Sequence, residues 1–428
     1  MVARLTQRGF VRGVMVLVGG AAGAQAINAA ISPVLTRLYT PDEIGLLGLY
    51  LVFISVGSIV LSMRYEQAIV VPAADGVAAR LAGVALWLIL PMTIVVGSVL
   101  LAFIAVDVAG YGALPAWSVP LGAVTLAAFG VSAVLRHWLL RMGRFDVIAG
   151  VLFSQSLGRG VSQVSLGAFG LGLPGLLVGE AIGRLLGLGR MLRVAMPGLR
   201  GAMQDPVSTP TTRIAGEFAQ FPVAGVPSSL LNALAFHIPT PLIAAAYGLP
   251  VAGFFSLVQR VLGVPLSVIG ASVGDALLQR VSQHARDAPD QALRLFRLTA
   301  LGLLALAVPL AVVVIVLAPL TFAFIFGEDW RFAGTLAAVM APWYTAAVVV
   351  SPLSRVVLVY RGQTTKLIYD VLSLGVAVAS ISLAASLGLA PVMAVWYLSL
   401  GQAGAYGVYL VILYRMVLVA NPPPSGVR

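Results

Sequence analysis

Leu81-Ala-Gly-Val-Ala-Leu-Trp-Leu-Ile-Leu-Pro-Met-Thr-Ile-Val-Val-Gly-Ser-Val-Leu-Leu-Ala-Phe-Ile-Ala105 runs without a charge between Arg80 and Asp107. A hydrocarbon core of about 30 Å is crossed by about 20 apolar residues in a helix, so this stretch reads as a membrane span. Comparable blocks, separated by short charged loops, extend from Val11 to Met416. Apolar residues make up 60% of the 428-residue chain and charged residues only 10%, against roughly 25% charged in soluble domains. The chain therefore reads as an all-α polytopic membrane protein with little sequence left for a soluble domain.

The blocks place about twelve transmembrane helices at roughly 11–36, 44–63, 80–105, 114–138, 146–170, 173–196, 221–246, 250–279, 298–320, 334–359, 367–388 and 391–415. Basic residues fall in alternate loops. One set holds Arg4, Arg8, Arg12; Arg64, Arg80; Arg136, Arg141, Arg144; Arg190, Arg193, Arg200, Arg213; Arg280, Arg286, Arg294, Arg297; Arg355, Arg361, Lys366; and Arg415, Arg428. The opposite set holds only Arg37 and Arg331 beside Asp42, Glu43, Asp107, Glu328 and Asp329. Retention of Lys and Arg on the cytoplasmic side then puts both termini in the cytoplasm. The first apolar run continues to Thr36, which fits a retained span better than a cleaved signal peptide.

A Pro-, Gly-, Ser- and Thr-rich stretch near the middle reads as a linker. It gives an N-terminal six-helix lobe at 1–200, a cytoplasmic linker at 201–219 and a C-terminal six-helix lobe at 220–428. A shift of 208 residues superposes Pro33 on Pro241, Tyr39 on Tyr247, Gly45 on Gly253 and Leu49 on Leu257. Six inserted spans preserve orientation, so such halves would be parallel repeats.

Composition also excludes several chemistries. Cysteine is absent, and His137, His237 and His284 are scattered without metal-ligand spacing, so no metal or other cofactor is expected. No phosphate-binding Gly-rich loop of the ATPase type occurs. The net charge of +11 follows the loop alternation rather than a patch, which argues against a nucleic-acid partner. The outer loops are short and carry no interfacial carboxylate cluster of the kind a membrane glycosyltransferase needs for acid–base work. No enzyme is expected.

Charges inside spans are the informative residues, because each costs at least about 2.5 kcal/mol at mid-bilayer. At ~1.5 Å per residue, Arg159, Arg184 and Arg260 lie about 15–16 Å below the outer ends of their spans and His237 about 14 Å, all near the midplane. Guanidinium groups hold phosphate through paired hydrogen bonds and keep their charge. These four residues are candidate contacts for an anionic cargo in a central cavity, with Gln25 and Asn28 as polar lining. Asn232, Gln155 and Gln259 could line the same cavity or join helices. Glu180 precedes Arg184 by four residues, on one helix face. It is the candidate for linkage to H+ or Na+, or else the partner that neutralises Arg184 or Arg159.

Several stretches resemble one family, the Wzx-type polysaccharide flippases. Ser32-Pro-Val-Leu-Thr-Arg-Leu-Tyr-Thr-Pro-Asp-Glu-Ile-Gly45 is similar to their first outer loop, and Arg64-Tyr-Glu-Gln-Ala-Ile-Val-Val-Pro72 to their segment after the second span. Phe221-Pro222, Pro227-Ser-Ser, Ala252-Gly-Phe-Phe-Ser-Leu-Val-Gln-Arg260, Pro265-Leu-Ser, Ile325-Phe-Gly-Glu-Asp-Trp330 and Val350-Ser-Pro-Leu353 continue the likeness in order. The resemblance implies the fold of the multidrug/oligosaccharidyl-lipid/polysaccharide exporter superfamily, two six-helix lobes around a central cavity. It implies undecaprenyl-diphosphate-linked oligosaccharide as cargo, moved from the cytoplasmic to the periplasmic face of a bacterial inner membrane by alternating access. Membrane lipids and the polysaccharide polymerase machinery are the further partners implied. Alternatives on the same fold are an ion-coupled exporter of small drugs or metabolites and a peptidoglycan-precursor flippase. Arg37 and Arg64 fall in family-like motifs, where pairing with Asp42, Glu43 or Glu66 is the expected role.

Overall fold

A computed structural model describes residues 7–207, 209–287, 289–360 and 363–419. Arg4, Arg361 and Arg428 lie outside the described residues, as do the side chains of Arg8, Arg12 and Arg286. Among the described residues there are helices and no strands, as a bilayer demands of any chain that does not close a barrel. Among these described residues, eight helices are long and apolar enough to cross a membrane, or nine with one bent pair. This is a multi-pass membrane protein. The chain divides into two compact units, Met1–Ala233 and Leu234–Arg428.

The first unit begins with α1 (Gln7–Leu38) and α2 (Pro41–Gly57). Thr40-Pro-Asp-Glu43 makes a capping box at the start of α2: the Glu43 amide donates to Thr40 Oγ1 at 3.3 Å and the Thr40 amide to Glu43 Oε2 at 2.9 Å. That satisfies two otherwise orphaned donors, and it occupies the Glu43 carboxylate that the sequence offered to Arg37. The second span does not run unbroken to residue 63. It stops at Gly57, and Met63 and Arg64 take left-handed φ of 48° and 62° before the short α3 (Tyr65–Ala68). Glu66 is buried here at 5% exposure, accepting from Ser62 Oγ at 2.5 Å and lying 3.7 Å from Arg64 Nη1. Non-helical backbone at this depth is tolerated where protein surrounds it.

Helices α4 (Asp75–Val106), α5 (Ser118–Arg141), α6 (Phe145–Ala168) and α7 (Gly172–Leu185) follow. Arg141 closes the loop ahead of α4, donating to the carbonyls of Ile69, Pro72 and Ala73 and, at 2.7 Å, to Asp75 Oδ1. The sixth span also breaks. Gly187, at φ 82°, turns the chain from α7 into α8 (Leu188–Met203); an L side chain there would be strained. A short α9 (Thr211–Glu217) lies in the Pro- and Thr-rich stretch and buries Ile214. The core joins α4, α5, α6 and α8 through Leu81, Leu135, Ile148, Met191 and Leu199. Lipid tails are as apolar as these side chains, so close approach of small residues rather than exclusion of water holds such helices together.

The second unit takes the end of α10 (Val226–His237), then α11 (Pro239–Tyr247), α12 (Leu249–Asp287), α13 (Pro289–Phe326), α14 (Arg331–Leu353), α15 (Val356–Val359), α16 (Gln363–Ser386) and α17 (Pro391–Val419). Pro239 follows a bend of 42° between the two halves of the seventh span, since proline removes a helical donor and crowds the preceding turn. Gly334 lets α14 lie against α13 so closely that a Cβ would sit 2.4 Å from the Ala318 carbonyl. The core here joins Leu277, Phe296, Val349, Leu353 and Leu413.

Candidate functional site

Polar residues inside a bilayer must find partners, and α1, α6 and α7 supply them to one another. Glu180, at 1% exposure, lies on α7 between two guanidinium groups. Arg184, one helical turn on, donates from Nε to Glu180 Oε1 at 3.0 Å. Arg159, from α6, donates from Nη1 to Glu180 Oε2 at 3.4 Å. Its Nη2 donates to Asn28 Oδ1 on α1 at 2.5 Å, and Asn28 Nδ2 donates to Gln25 Oε1 at 3.3 Å. Gln155 ties α6 to α7, donating to the Arg184 carbonyl at 3.2 Å. Six residues read from the sequence as interior thus form one network.

Its geometry depends on glycine. A Cβ at Gly183 would lie 2.4 Å from Arg159 Cβ and 3.1 Å from the Gln155 carbonyl, so only glycine lets the two helices bring their charges together. The charges do not cancel: two guanidinium groups share one carboxylate. Both arginine side chains stay about a quarter exposed, at 25% and 29%, while Glu180 is enclosed.

Arg184 also reaches a half-open cleft of about 80 Å³ among α5, α6, α7 and α8, lined by Phe129, Ser132, Arg136, Gln155 and Met191 with neighbouring aliphatic groups. The Arg184 guanidinium sits over the Phe129 ring, 5.0 Å from its centroid. Ser132 Oγ is buried at this cleft without a hydrogen-bond partner. Arg136 is a correction to the sequence reading, which left it in a loop. Helix α5 continues to Arg141 and carries Arg136 into the cleft wall. Two further carboxylates are enclosed, Glu66 and Asp370, at 5% and 2% exposure. Each stands within four residues of a basic partner, Arg64 and Lys366, a local pairing legible in the sequence.

The other two midplane candidates belong to the second unit. Arg260 is half-buried on α12, and His237 ends α10, its ring edge-on to Phe236 at 5.1 Å. Gln259 accepts from Thr240 Oγ1 at 3.3 Å, tying α11 to α12. The α16 and α17 pair is held by Ser373 Oγ donating to Gln402 Oε1 and Gln402 Nε2 donating to the Ser373 carbonyl, both at 2.8 Å. Tyr369 stacks on Tyr409 with centroids 4.3 Å apart. No cluster of three or more His, Cys, Asp or Glu side chains able to hold a metal occurs among the described residues.

Comparisons with known proteins bear on both fold and role. Residues 34–333 match the family described as polysaccharide biosynthesis protein. No curated protein matches the chain in sequence. Among solved structures, the chain is similar to the lipid II flippase MurJ in an inward closed conformation, with TM-score 0.65 and 13% identity over 96% of this chain and 90% of that one. A eukaryotic MATE transporter gives TM-score 0.61 and 15% identity, covering 96% of this chain and 97% of its own. A MOP-superfamily transporter from Pyrococcus furiosus gives 0.59 and 14%, covering 96% and 95%. At these identities the likeness establishes the fold, that of the MOP-superfamily transporters.

Proposed function

The chain belongs to the polysaccharide biosynthesis protein family, and from that premise we propose that it is a flippase for undecaprenyl-diphosphate-linked oligosaccharide. It moves this cargo from the cytoplasmic to the periplasmic face of a bacterial inner membrane, by alternating exposure of its site to the two sides. The observation that carries the reading is the imbalance at Glu180, one enclosed carboxylate between two partly exposed guanidinium groups. A diphosphate must leave water to cross the membrane, and fixed arginines replace the hydration it loses. Arg136 and the unpartnered Ser132 hydroxyl extend the same donor surface along the cleft. Arg260 and His237 are the second unit's contacts for the cargo.

Glu180 couples cargo to an ion. With the carboxylate charged, the guanidinium groups are held to it; neutralising it with a proton, or drawing it to Na+, frees them for phosphate. Glu180→Gln is therefore expected to leave the fold intact and slow transport, read as slower appearance of surface polysaccharide. Wild-type rates in that variant would take Glu180 out of the mechanism.

The test is genetic and chemical. Deleting the gene should make lipid-linked oligosaccharide accumulate on the inner face while surface polysaccharide is lost. The intact gene should reverse both, Arg260→Ala should not, and Arg260→Lys should do so in part. Unchanged polysaccharide together with altered sensitivity to small toxic compounds would instead indicate a drug exporter on this fold.

A further inference from the structure

Helix α8 is unlike every span around it. Its Met191, Ala195, Leu199 and Ala202 are buried, and at 100° per residue they fall on one face within about 80°. Arg190, Arg193 and Arg200 are exposed and fall within about 80° of one another on the opposite face; the Arg190 guanidinium, at the edge of this stripe, also lies against α6, where a Cβ at Gly150 would be 2.9 Å from its Nη1. Leu185 and Leu186 before the helix, and Met203 at its end, are exposed apolar side chains at 45%, 40% and 41%. An arginine face of this kind is too costly for the hydrocarbon core, and the helix follows α7 after a single turn at Gly187. A headgroup layer accommodates such a face. The loop carrying it belongs to the arginine-rich set that topology assigns to the cytoplasmic side.

We propose that the outer face of α8 is a binding surface for anionic phospholipid headgroups of the cytoplasmic leaflet. Phosphate oxygens of phosphatidylglycerol or cardiolipin meet the three guanidinium groups, and Leu185, Leu186 and Met203 dip into the acyl boundary at either end. Basic stripes flanked by apolar residues bind bilayers in this way, and each Arg near an anionic surface contributes about fivefold in affinity. Helix α8 then acts as an anchor that fixes the inner end of the first unit at a set depth, independent of which cargo is carried.

The full-length protein is prepared in nanodiscs of phosphatidylglycerol and, separately, of phosphatidylcholine. Amide hydrogen exchange of residues 188–203 should be slower in phosphatidylglycerol. Native mass spectrometry should show preferential retention of phosphatidylglycerol, falling by up to about a hundredfold in the variant carrying Arg190→Gln, Arg193→Gln and Arg200→Gln. A comparison variant, Arg280→Gln with Arg294→Gln, removes charge from another arginine-rich loop and should leave the slower exchange of residues 188–203 in phosphatidylglycerol in place. Unaltered exchange across α4 and α5 certifies folding of either variant. Equal exchange of α8 in the two lipids, an unchanged preference in the triple variant, or loss of the slower α8 exchange in the comparison variant would overturn the assignment.

Discussion

Between α6 and α7, Glu180 lies 3.4 Å from Arg159 and 3.0 Å from Arg184, so two positive groups share one negative group. Between α16 and α17, Ser373 and Gln402 exchange two hydrogen bonds of 2.8 Å, and the enclosed Asp370 has Lys366 at 2.8 Å on its own helix. Both pairs bury polarity, but they balance it differently. The α16–α17 contact pairs a neutral amide with a neutral hydroxyl and leaves no charge over, which is what interhelical adhesion in a membrane requires. The α6–α7 contact carries a surplus cation that adhesion does not require. Surplus charge in an apolar medium is costly, and it is the feature the proposed anionic cargo would use.

The largest effect should come from removing the shared carboxylate. Glu180→Ala removes the acceptor oxygens together with the charge, where Glu180→Gln keeps one acceptor between the two guanidinium groups, and it should destabilise the first unit by about 3–5 kcal/mol, read as a lower Tm of the purified protein in detergent. A wild-type Tm would mean that Glu180 does not hold the arginines. Next comes a matched pair of alanine substitutions. Gly183→Ala places a methyl group 2.4 Å from Arg159 Cβ, whereas a Cβ at Gly404 on α17 meets nothing within 4 Å. The first should cost about 1–3 kcal/mol from overpacking and disturb transport, while Gly404→Ala should be neutral in both. Equal effects would erase the contrast between the helix pairs. Smallest is Gln402→Leu, at about 1 kcal/mol with transport rate unchanged. A transport defect there would show that the neutral pair also handles cargo.

These contrasts mark where the sequence was informative. Spans were legible because the bilayer forces period and length onto the chain, and Leu81–Ala105 lies wholly inside α4. The Glu180–Arg184 pair was legible from its four-residue spacing. Breaks in the second and sixth spans were not, since Met63 and Arg64 adopt left-handed conformations that their side chains do not announce. Gly187 is one glycine among 46. Arg136 was grouped with the loop arginines although the expected span 114–138 reaches past it, because an arginine near a helix end looks like a loop residue; the helix continues to Arg141. Asn28 joining Arg159 spans 131 residues of sequence, a distance over which no local pattern operates.

The most direct test of the surplus-charge account is binding of a lipid-linked diphosphate sugar to the purified protein in nanodiscs, compared among wild type, Arg184→Ala and Gln402→Leu. The account predicts that Arg184→Ala weakens binding by about tenfold or more, the loss of one charge-assisted hydrogen bond of roughly 1.5–3 kcal/mol, while Gln402→Leu binds as wild type does. Undiminished binding by Arg184→Ala in a protein that melts normally would contradict it, and would return the α6–α7 charges to the same adhesive role that Ser373 and Gln402 perform.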